Sequence, residues 1–273
     1  MSSQPPIDNY PGERTLTETA RLRAQHDLVV DALGGLLLCH LDTTQQNLRI
    51  LDVGTADGWF LHCVRSQLAC PDTATLVGTD VAPYPDVVED VITHNFKTPF
   101  PEDWKDNFDL VQLRAVMANV PGDAAIDLVR RAWNLVKPGG FIQLIDGAMP
   151  AEKMLESDKP SARLFKTMGA FLVRAGMDAS QGARVAEILQ TAAGDTMTGF
   201  GSKERPIRIG KGSQLEKSSW DWLRGFTTVA SPGLVKTGMA TQQQMDKLTL
   251  DVMKQAQEEG FDLSWFAAWG RKS

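Results

Sequence analysis

The sequence has little of what marks disulfide-stabilised, membrane-spanning or nucleic-acid-binding proteins. It contains 3 cysteines, Cys39, Cys63 and Cys70, without CxxC spacing, which predicts neither a disulfide framework nor a metal site. No apolar run approaches the roughly 18 residues of a transmembrane helix. Lysine and arginine number 28 against 34 acidic residues, so the chain has no excess of positive charge to neutralise a phosphate backbone. Neither a membrane nor a nucleic acid is therefore an expected partner.

The bulk composition is that of an ordinary globular protein. Hydrophobic residues make up 42% of the 273-residue chain and charged residues 23%, which suits one compact α/β domain with insertions. The first residues, MSSQPPIDNYPGER, contain no apolar segment of the kind found in secretory signals. We expect a cytoplasmic protein, monomeric or homodimeric, that acts on a small molecule.

Short apolar runs that alternate with helical stretches predict a parallel sheet. The run at 48–54 ends in Asp and Gly and leads into a helical pattern, as in a buried strand followed by a helix. Similar runs predict four more strands, at 74–80, 90–96, 108–114 and 141–147. This order predicts an α/β fold with a mostly parallel, Rossmann-like sheet and helices on both faces.

The chain divides into four predicted segments. Residues 1–44 are expected to form an arm and helices that act as a lid, and residues 45–150 the core of the sheet. Within that core, KPGG at 137–140 predicts a turn between a helix and the fifth strand. Helical patterns dominate residues 151–260, which are predicted to form a cap, and residues 261–273 are predicted to add a closing strand to the core sheet.

A glycine loop follows the first predicted strand. In the motif DVGTADG, Gly54 and Gly58 let the backbone approach a ligand that a side chain would exclude, with Asp52 and Thr55 beside them. The carboxyl edge of a parallel sheet is the usual ligand site, because crossovers to opposite faces leave a crevice there. Taken alone, the same spacing is also typical of a structural turn.

Polar side chains at the ends of the next two strands indicate a nucleoside. Asp80, followed by Val81, ends the second strand, where a carboxylate can accept hydrogen bonds from both ribose hydroxyls. Asn95 ends the third strand, where its amide can pair with an adenine edge, and Phe96 can pack against the ring. A dinucleotide would require G-x-G-x-x-G for its pyrophosphate, and Ala56 breaks that motif. The pattern therefore favours a nucleoside without phosphates, such as S-adenosylmethionine (SAM).

With these motifs in order, residues 45–150 resemble the class I SAM-dependent methyltransferases. RLRAQH at 21–26, LDVGTADGWFL at 51–61, FDLVQLR at 108–114 and the ending AAWGRKS are similar to the fungal secondary-metabolism group of that family. The resemblance implies a Rossmann-like methyltransferase sheet with an N-terminal helical lid and a helical cap insertion. It also implies SAM as cofactor and S-adenosylhomocysteine (SAH) as product. It does not identify the acceptor, because residues 150–260 match only loosely.

The resemblance assigns parts of the cofactor to residues. It implies that Gly54 and its loop lie under the methionine part, Asp80 at the ribose, and Asn95 with Phe96 at the adenine. It further implies a cofactor floor of Gln112, Leu113 and Arg114 and a lid containing Tyr10, Gln25 and His26.

Two departures from the family pattern matter. Ala56 stands where Gly is common, which requires a negative φ to avoid strain, and Asn95 stands where an acid is common.

Methyl transfer from a sulfonium needs an acceptor lone pair held in line, so positioning and desolvation can supply most of the acceleration. The acceptor atom is O, N or S. Where it must lose a proton, His26 is the candidate base, and packing is its alternative role. Asp146, at the end of the fifth strand, either binds substrate or caps a turn. No D/N-P-P-Y motif follows the fourth strand, which argues against methylation of adenine or glutamine amides.

Apolar side chains in the predicted cap suggest a hydrophobic acceptor. Most of them are expected to form core, and some to line an acceptor pocket; they are Met154, Phe165, Met168, Phe171, Leu172, Met177, Trp220, Trp222 and Phe226.

The alternative function is a SAM-binding protein that does not methylate, either a regulatory subunit or an enzyme of cyclisation or hydration, because fold alone does not fix function.

Overall fold

The computed structural model describes residues 13–82, 84–148 and 155–273. Its strands are β1 Arg49–Val53, β2 Thr75–Asp80, β3 Val91–Thr93, β4 Phe108–Arg114, β5 Val136–Gly147, β6 Met197–Ile209 and β7 Phe261–Lys272. They form one sheet in the order β3-β2-β1-β4-β5-β7-β6. β1 to β5 are parallel, whereas β7 lies antiparallel between β5 and β6.

Helices connect and cover these strands. In the described ranges they are α1 Leu16–Leu33, α2 Trp59–Arg65, α3 Ala124–Leu135, α4 Pro160–Arg174, α5 Val185–Ala193, α6 Glu216–Lys236 and α7 Gln242–Glu258. The Thr15 side chain caps α1 by accepting the Glu18 N–H, and Gly34 ends it at φ 78°, a left-handed conformation that favours glycine. None of the described helices combines the length and apolar character needed to cross a membrane.

Side-chain alternation along the strands buries both faces of the sheet. Leu51 on β1 faces the apolar layer formed with α3 and α5, whereas its neighbour Ile50 faces the layer that contains α2. A third cluster joins α1, α4, α6 and α7 to the part of the sheet near β7. The α/β class, the mostly parallel sheet and the helices on both faces are therefore confirmed.

Two predicted boundaries differ from the structure. β3 ends at Thr93, so Asn95 and Phe96 follow the strand instead of ending it. KPGG at 137–140 lies inside β5, where the register jumps from Phe108 opposite Val136 to Leu110 opposite Phe141. The predicted turn is thus an irregular bulge in β5 with several extra residues, which the glycines allow.

β6 has no counterpart among the predicted strands. Its sequence, MTGFGSKERPIRI, includes two glycines, a proline and several charges, and lacks the apolar alternation that indicates a strand. This composition suits the edge of a sheet, where charge and proline discourage pairing with another chain. Hydrogen bonding to β7 along 197–209 forms the strand despite its weak local preference.

Candidate active site

A cleft of about 330 Å³ lies at the carboxyl ends of β1, β2, β4 and β5, within the range of small-ligand pockets. Its wall has two parts. The polar half comes from the strand ends and α1, and includes Gly54, Asp80, Val81, Phe96, Arg114 and Gln25. The apolar half comes mainly from α4, α6 and β7, and includes Phe165, Met168, Phe171, Phe226, Val229 and Trp265.

The loop after β1 has three residues in the left-handed backbone region. Gly54, Ala56 and Gly58 have φ values of 74°, 56° and 83°. Ala56 therefore does not have the negative φ that an alanine needs to avoid strain. The turn directs the Ala56 N–H to the Asp80 carboxylate, at 3.0 Å, and this bond fixes the loop against the end of β2.

Ala56→Gly is expected to stabilise the protein by roughly 0.5–1 kcal/mol, because a left-handed conformation costs an alanine more than a glycine. The melting temperature should rise by about 1–4 °C, measured by circular dichroism without ligand. Ala74→Gly is the matched control, because Ala74 has φ -77°; glycine there adds disorder to the unfolded chain and removes a partly buried methyl group, so this variant should be destabilised. Equal destabilisation by both substitutions would contradict strain at Ala56.

Asp80 projects from the end of β2 into the cleft. One oxygen accepts the Ala56 N–H, the other accepts the Ala82 N–H at 3.4 Å, and an Arg14 nitrogen lies 3.5 Å away. Burial raises the pKa of this carboxyl, while the backbone donors and Arg14 oppose that rise. The arrangement holds an acceptor at the position predicted for ribose.

Asn95 and Phe96 line the same wall one strand further along. The Asn95 amide oxygen accepts the Lys97 N–H at 2.9 Å, so this oxygen already closes a turn and the amide nitrogen is the group it offers to a ligand. Phe96 packs partly against the core. The structure thus brings the predicted adenine residues next to Asp80, and their role remains a prediction.

Several predicted cofactor residues lie behind the wall of the cleft. Thr55 donates its hydroxyl to Asp52 at 2.7 Å, and burial raises the pKa of Asp52 to about 7 despite the opposing charge of Arg114. Gln112 accepts from the Gln143 amide at 2.9 Å. The Leu113 side chain belongs to the α3 and α5 core, because alternation on β4 turns it away from its neighbours. Gly58 caps the start of α2, and Tyr10 lies outside the described residues.

α1 supplies the predicted lid residue Gln25 to the cleft. Its amide oxygen accepts from Arg21 at 2.8 Å and from the Trp222 indole at 3.2 Å. Arg21 in turn binds both oxygens of the buried Glu18. Because two donors occupy the Gln25 oxygen, its NH₂ group is the one left to face a ligand.

His26 has a different place from the one predicted for a catalytic base. Its Nδ1 lies 2.8 Å from a guanidinium nitrogen of Arg114, and since guanidinium only donates, Nδ1 must accept. Burial and then the charge of Arg114 lower the pKa of His26 to about 3. A neutral imidazole whose basic nitrogen is already occupied is poorly suited to remove a proton from an acceptor.

Asp146 lines the cleft where the polar and apolar halves meet. It accepts the Met117 N–H at 2.8 Å and so caps the short 3-10 helix Met117–Asn119. Burial raises the pKa of its carboxyl to about 7, against the effect of the backbone donors. The structure therefore shows the capping role, and binding of substrate by Asp146 stays a prediction.

A glycine loop after β1, an acid after β2 and a cleft along the same sheet edge define a Rossmann-like enzyme that binds a nucleoside cofactor. A family model described as a methyltransferase domain matches residues 25–192. The N-methyltransferase sirN of Leptosphaeria maculans is 30% identical over 98% of this chain and 96% of its own length. The N-methyltransferase gliN of Aspergillus fumigatus is 37% identical over 48% of each chain.

The chain therefore belongs to the methyltransferase domain family, and to the fungal secondary-metabolite group of class I SAM-dependent methyltransferases. Among solved structures, phosphoethanolamine N-methyltransferase 2 of Haemonchus contortus superposes with a TM-score of 0.51 at 12% identity. That likeness covers 94% of this chain and 57% of the other, and it shows the shared fold.

SAM is the cofactor of this class, and the residues present fit it. The Asp80 carboxylate faces the cleft with acceptor capacity for hydroxyl groups. Phe96 offers a ring face. SAM has no pyrophosphate, so the loop after β1 does not need a row of free N–H groups. One of these groups, the Ala56 N–H, is already bonded to Asp80.

Proposed function

We propose that this methyltransferase transfers a methyl group to a nitrogen atom of a small, apolar, ring-containing metabolite in the cytoplasm, acting as a monomer or homodimer. The observation that carries the proposal is one cleft whose polar half suits a nucleoside and whose apolar half is lined by aromatic and methionine side chains. A net charge of -6 supports a small acceptor over a nucleic acid.

In the polar half, the proposed role of Asp80 is to accept hydrogen bonds from the ribose. Val81, Asn95 and Phe96 surround the adenine, and the turn at Gly54 brings backbone close to the methionine part. SAM supplies a methyl group on a sulfonium centre. Asp52, Thr55, Gly58, Gln112 and Leu113 support these residues from behind through the contacts described above.

In the apolar half, the proposed role of the chain is to orient the acceptor and exclude water. Phe165 stacks on Phe226 at 5.7 Å, and Trp222 stacks on Phe226 at 5.0 Å, so the aromatic wall is held in place by packing. A fixed wall limits the orientations of a flat ring, and removal of water strengthens every polar interaction at the junction.

Asp146 is proposed to take the proton that a nitrogen acceptor loses. A carboxyl with a pKa of about 7 exchanges protons readily at neutral pH. Its hydrogen bond to Met117 N–H fixes the carboxyl at the wall of the cleft, and a carboxylate has acceptor capacity beyond its backbone donors. The relatives sirN and gliN are both named N-methyltransferases, which supports nitrogen over oxygen and sulfur.

The proposal predicts SAH formation from SAM when apolar ring compounds with an N–H group are supplied, with O–H and S–H analogues as comparison. Val229→Trp should fill the apolar half and lower turnover roughly 10-fold or more, while SAH affinity stays within about 2-fold. Calorimetry and SAH release by mass spectrometry measure the two quantities.

Val173→Trp is the matched control, because Val173 lies on α4 with 70% of its surface exposed and should change neither quantity. Equal losses of turnover and SAH affinity in Val229→Trp would contradict a separate acceptor half. SAH formation with a macromolecule and with none of the ring compounds would contradict the substrate class.

A further inference from the structure

Arg114 differs from the other arginines of the cleft in its partners. Arg21 binds Glu18 through two hydrogen bonds of 2.7 and 2.8 Å, and Arg14 lies near Asp80. Arg114, at the end of β4, donates to neutral His26, and among the described residues no carboxylate comes within ion-pair distance of it. Among the described arginines that line the cleft, Arg114 is therefore the one that no protein carboxylate contacts.

The charge of Arg114 is compensated only partly by the protein. Burial lowers the pKa of its guanidinium, and the largest opposing influence is the charge of Asp52. Burial also raises the pKa of Asp52 to about 7, so Asp52 is incompletely ionised at neutral pH. A guanidinium remains protonated there, and a buried charge without a close counter-ion favours an anionic ligand.

Two contacts fix the orientation of Arg114. One terminal nitrogen donates to His26 Nδ1 at 2.8 Å, and the guanidinium lies over the Phe60 ring at 5.4 Å from its centre. Arg114 also lines the cleft, so its remaining donors are available on that side. His26 can hold the cation because it is neutral; a protonated imidazole would repel it.

The position of Arg114 specifies which part of a ligand it meets. The register pairs Val53 with Leu113, which puts Arg114 beside Gly54 on the adjacent strand end. A nucleoside with its ribose at Asp80 and its base at Phe96 must direct its 5′ substituent away from β3, toward β1 and β4. In SAM that substituent ends in an amino acid.

We propose that Arg114 binds the α-carboxylate of the cofactor's methionine moiety and that His26 is the positioning residue that orients its guanidinium. This inference rests on the cofactor site of the proposed function. Guanidinium and carboxylate form paired, charge-assisted hydrogen bonds. The protein thereby binds a cofactor that has the amino acid part more tightly than a nucleoside thioether that lacks it.

The test compares SAH with 5′-methylthioadenosine, which keeps the adenine, ribose and thioether but has no amino acid. Calorimetry is run on wild-type protein, Arg114→Met and Arg114→Lys. We expect Arg114→Met to weaken SAH binding about 10- to 100-fold and methylthioadenosine binding by less than about 3-fold. Arg114→Lys, which keeps the charge, should fall between wild type and Arg114→Met for SAH.

His26 is tested by rescue. His26→Asn can present an amide oxygen near the position of Nδ1 and should retain the preference for SAH, whereas His26→Leu should lose most of it. A structural role alone would lower the affinity of both ligands equally. A second measurement uses only wild-type protein, so it does not depend on whether a variant folds. Decarboxylated SAM, which lacks the α-carboxylate, should bind to it at least about 10-fold more weakly than SAM.

The outcomes separate the two proposals. If wild-type protein binds neither SAH nor methylthioadenosine, the cofactor site itself is wrong. If wild-type protein binds both but the Arg114 variants weaken them equally, or decarboxylated SAM binds as tightly as SAM, only the assignment of Arg114 is overturned.

Discussion

Asp80→Ala is expected to weaken SAH binding by about 10- to 100-fold, since hydrogen bonds from ribose hydroxyls to a carboxylate contribute roughly 1–3 kcal/mol. The substitution also removes the acceptor of the Ala56 N–H and the neighbour of Arg14, so the loop after β1 loses an anchor. Titration calorimetry at one pH and salt concentration measures the change. The binding of methylthioadenosine should weaken by a similar factor, because this ligand has the same ribose.

Asp80→Asn separates the two effects of the alanine variant. The amide can still accept from Ala56 and should restore much of the loop's stability, but a neutral group binds the ribose hydroxyls less strongly than a carboxylate. Its SAH affinity should therefore lie between wild type and Asp80→Ala. Asp72→Ala, at an exposed acid just before β2, is the control for charge alone. An Asp80→Ala variant with wild-type affinity would exclude this carboxylate from the ribose site.

Gly182→Ala is expected to destabilise the protein by about 2–3 kcal/mol and to lower the melting temperature by roughly 5–10 °C. Gly182 belongs to the short 3-10 helix Gln181–Arg184. A Cβ there would overlap the Gly147 carbonyl and approach the Ala148 backbone at 3.0 Å. Backbone atoms of a central strand cannot move aside as a flexible side chain can, so the helix must shift away from β5.

The site should be affected together with the fold, because Gly147 follows Asp146. Movement of the β5 end is expected to disturb the Asp146 bond to Met117. Ala183→Ser, at the exposed next position, should change stability by less than about 0.5 kcal/mol. If both variants unfold at the same temperature, close packing of Gly182 on β5 is not required.

The sheet and one end of the site can be predicted from sequence because their signals are local. Apolar runs marked β1, β2 and β4 almost to the residue, and the acid at the end of β2 is Asp80, which lies in the cleft as expected. Alternation along β4 also contains information about Leu113 and Arg114: adjacent strand residues face opposite sides, so the two could not both line one floor.

Other features depend on contacts between distant parts of the chain. His26 and Arg114 are 88 positions apart, and neither residue type predicts that the histidine will be held neutral. The positive φ of Ala56 follows from its bond to Asp80, which overrides the preference of alanine. β6 similarly becomes a strand through pairing with β7, and its own composition indicates a loop.

The insertion of β7 between β5 and β6 has a consequence for biosynthesis. β7 is the last strand in chain order among the described residues, and its Trp265 closes the apolar half of the cleft. During translation the edge of β5 and the aromatic wall stay open until residues 261–272 emerge. The nascent chain therefore exposes an unpaired strand edge until β7 is synthesised, the kind of surface that chaperones cover, and the apolar half of the cleft is completed only when β7 pairs with β5 and β6.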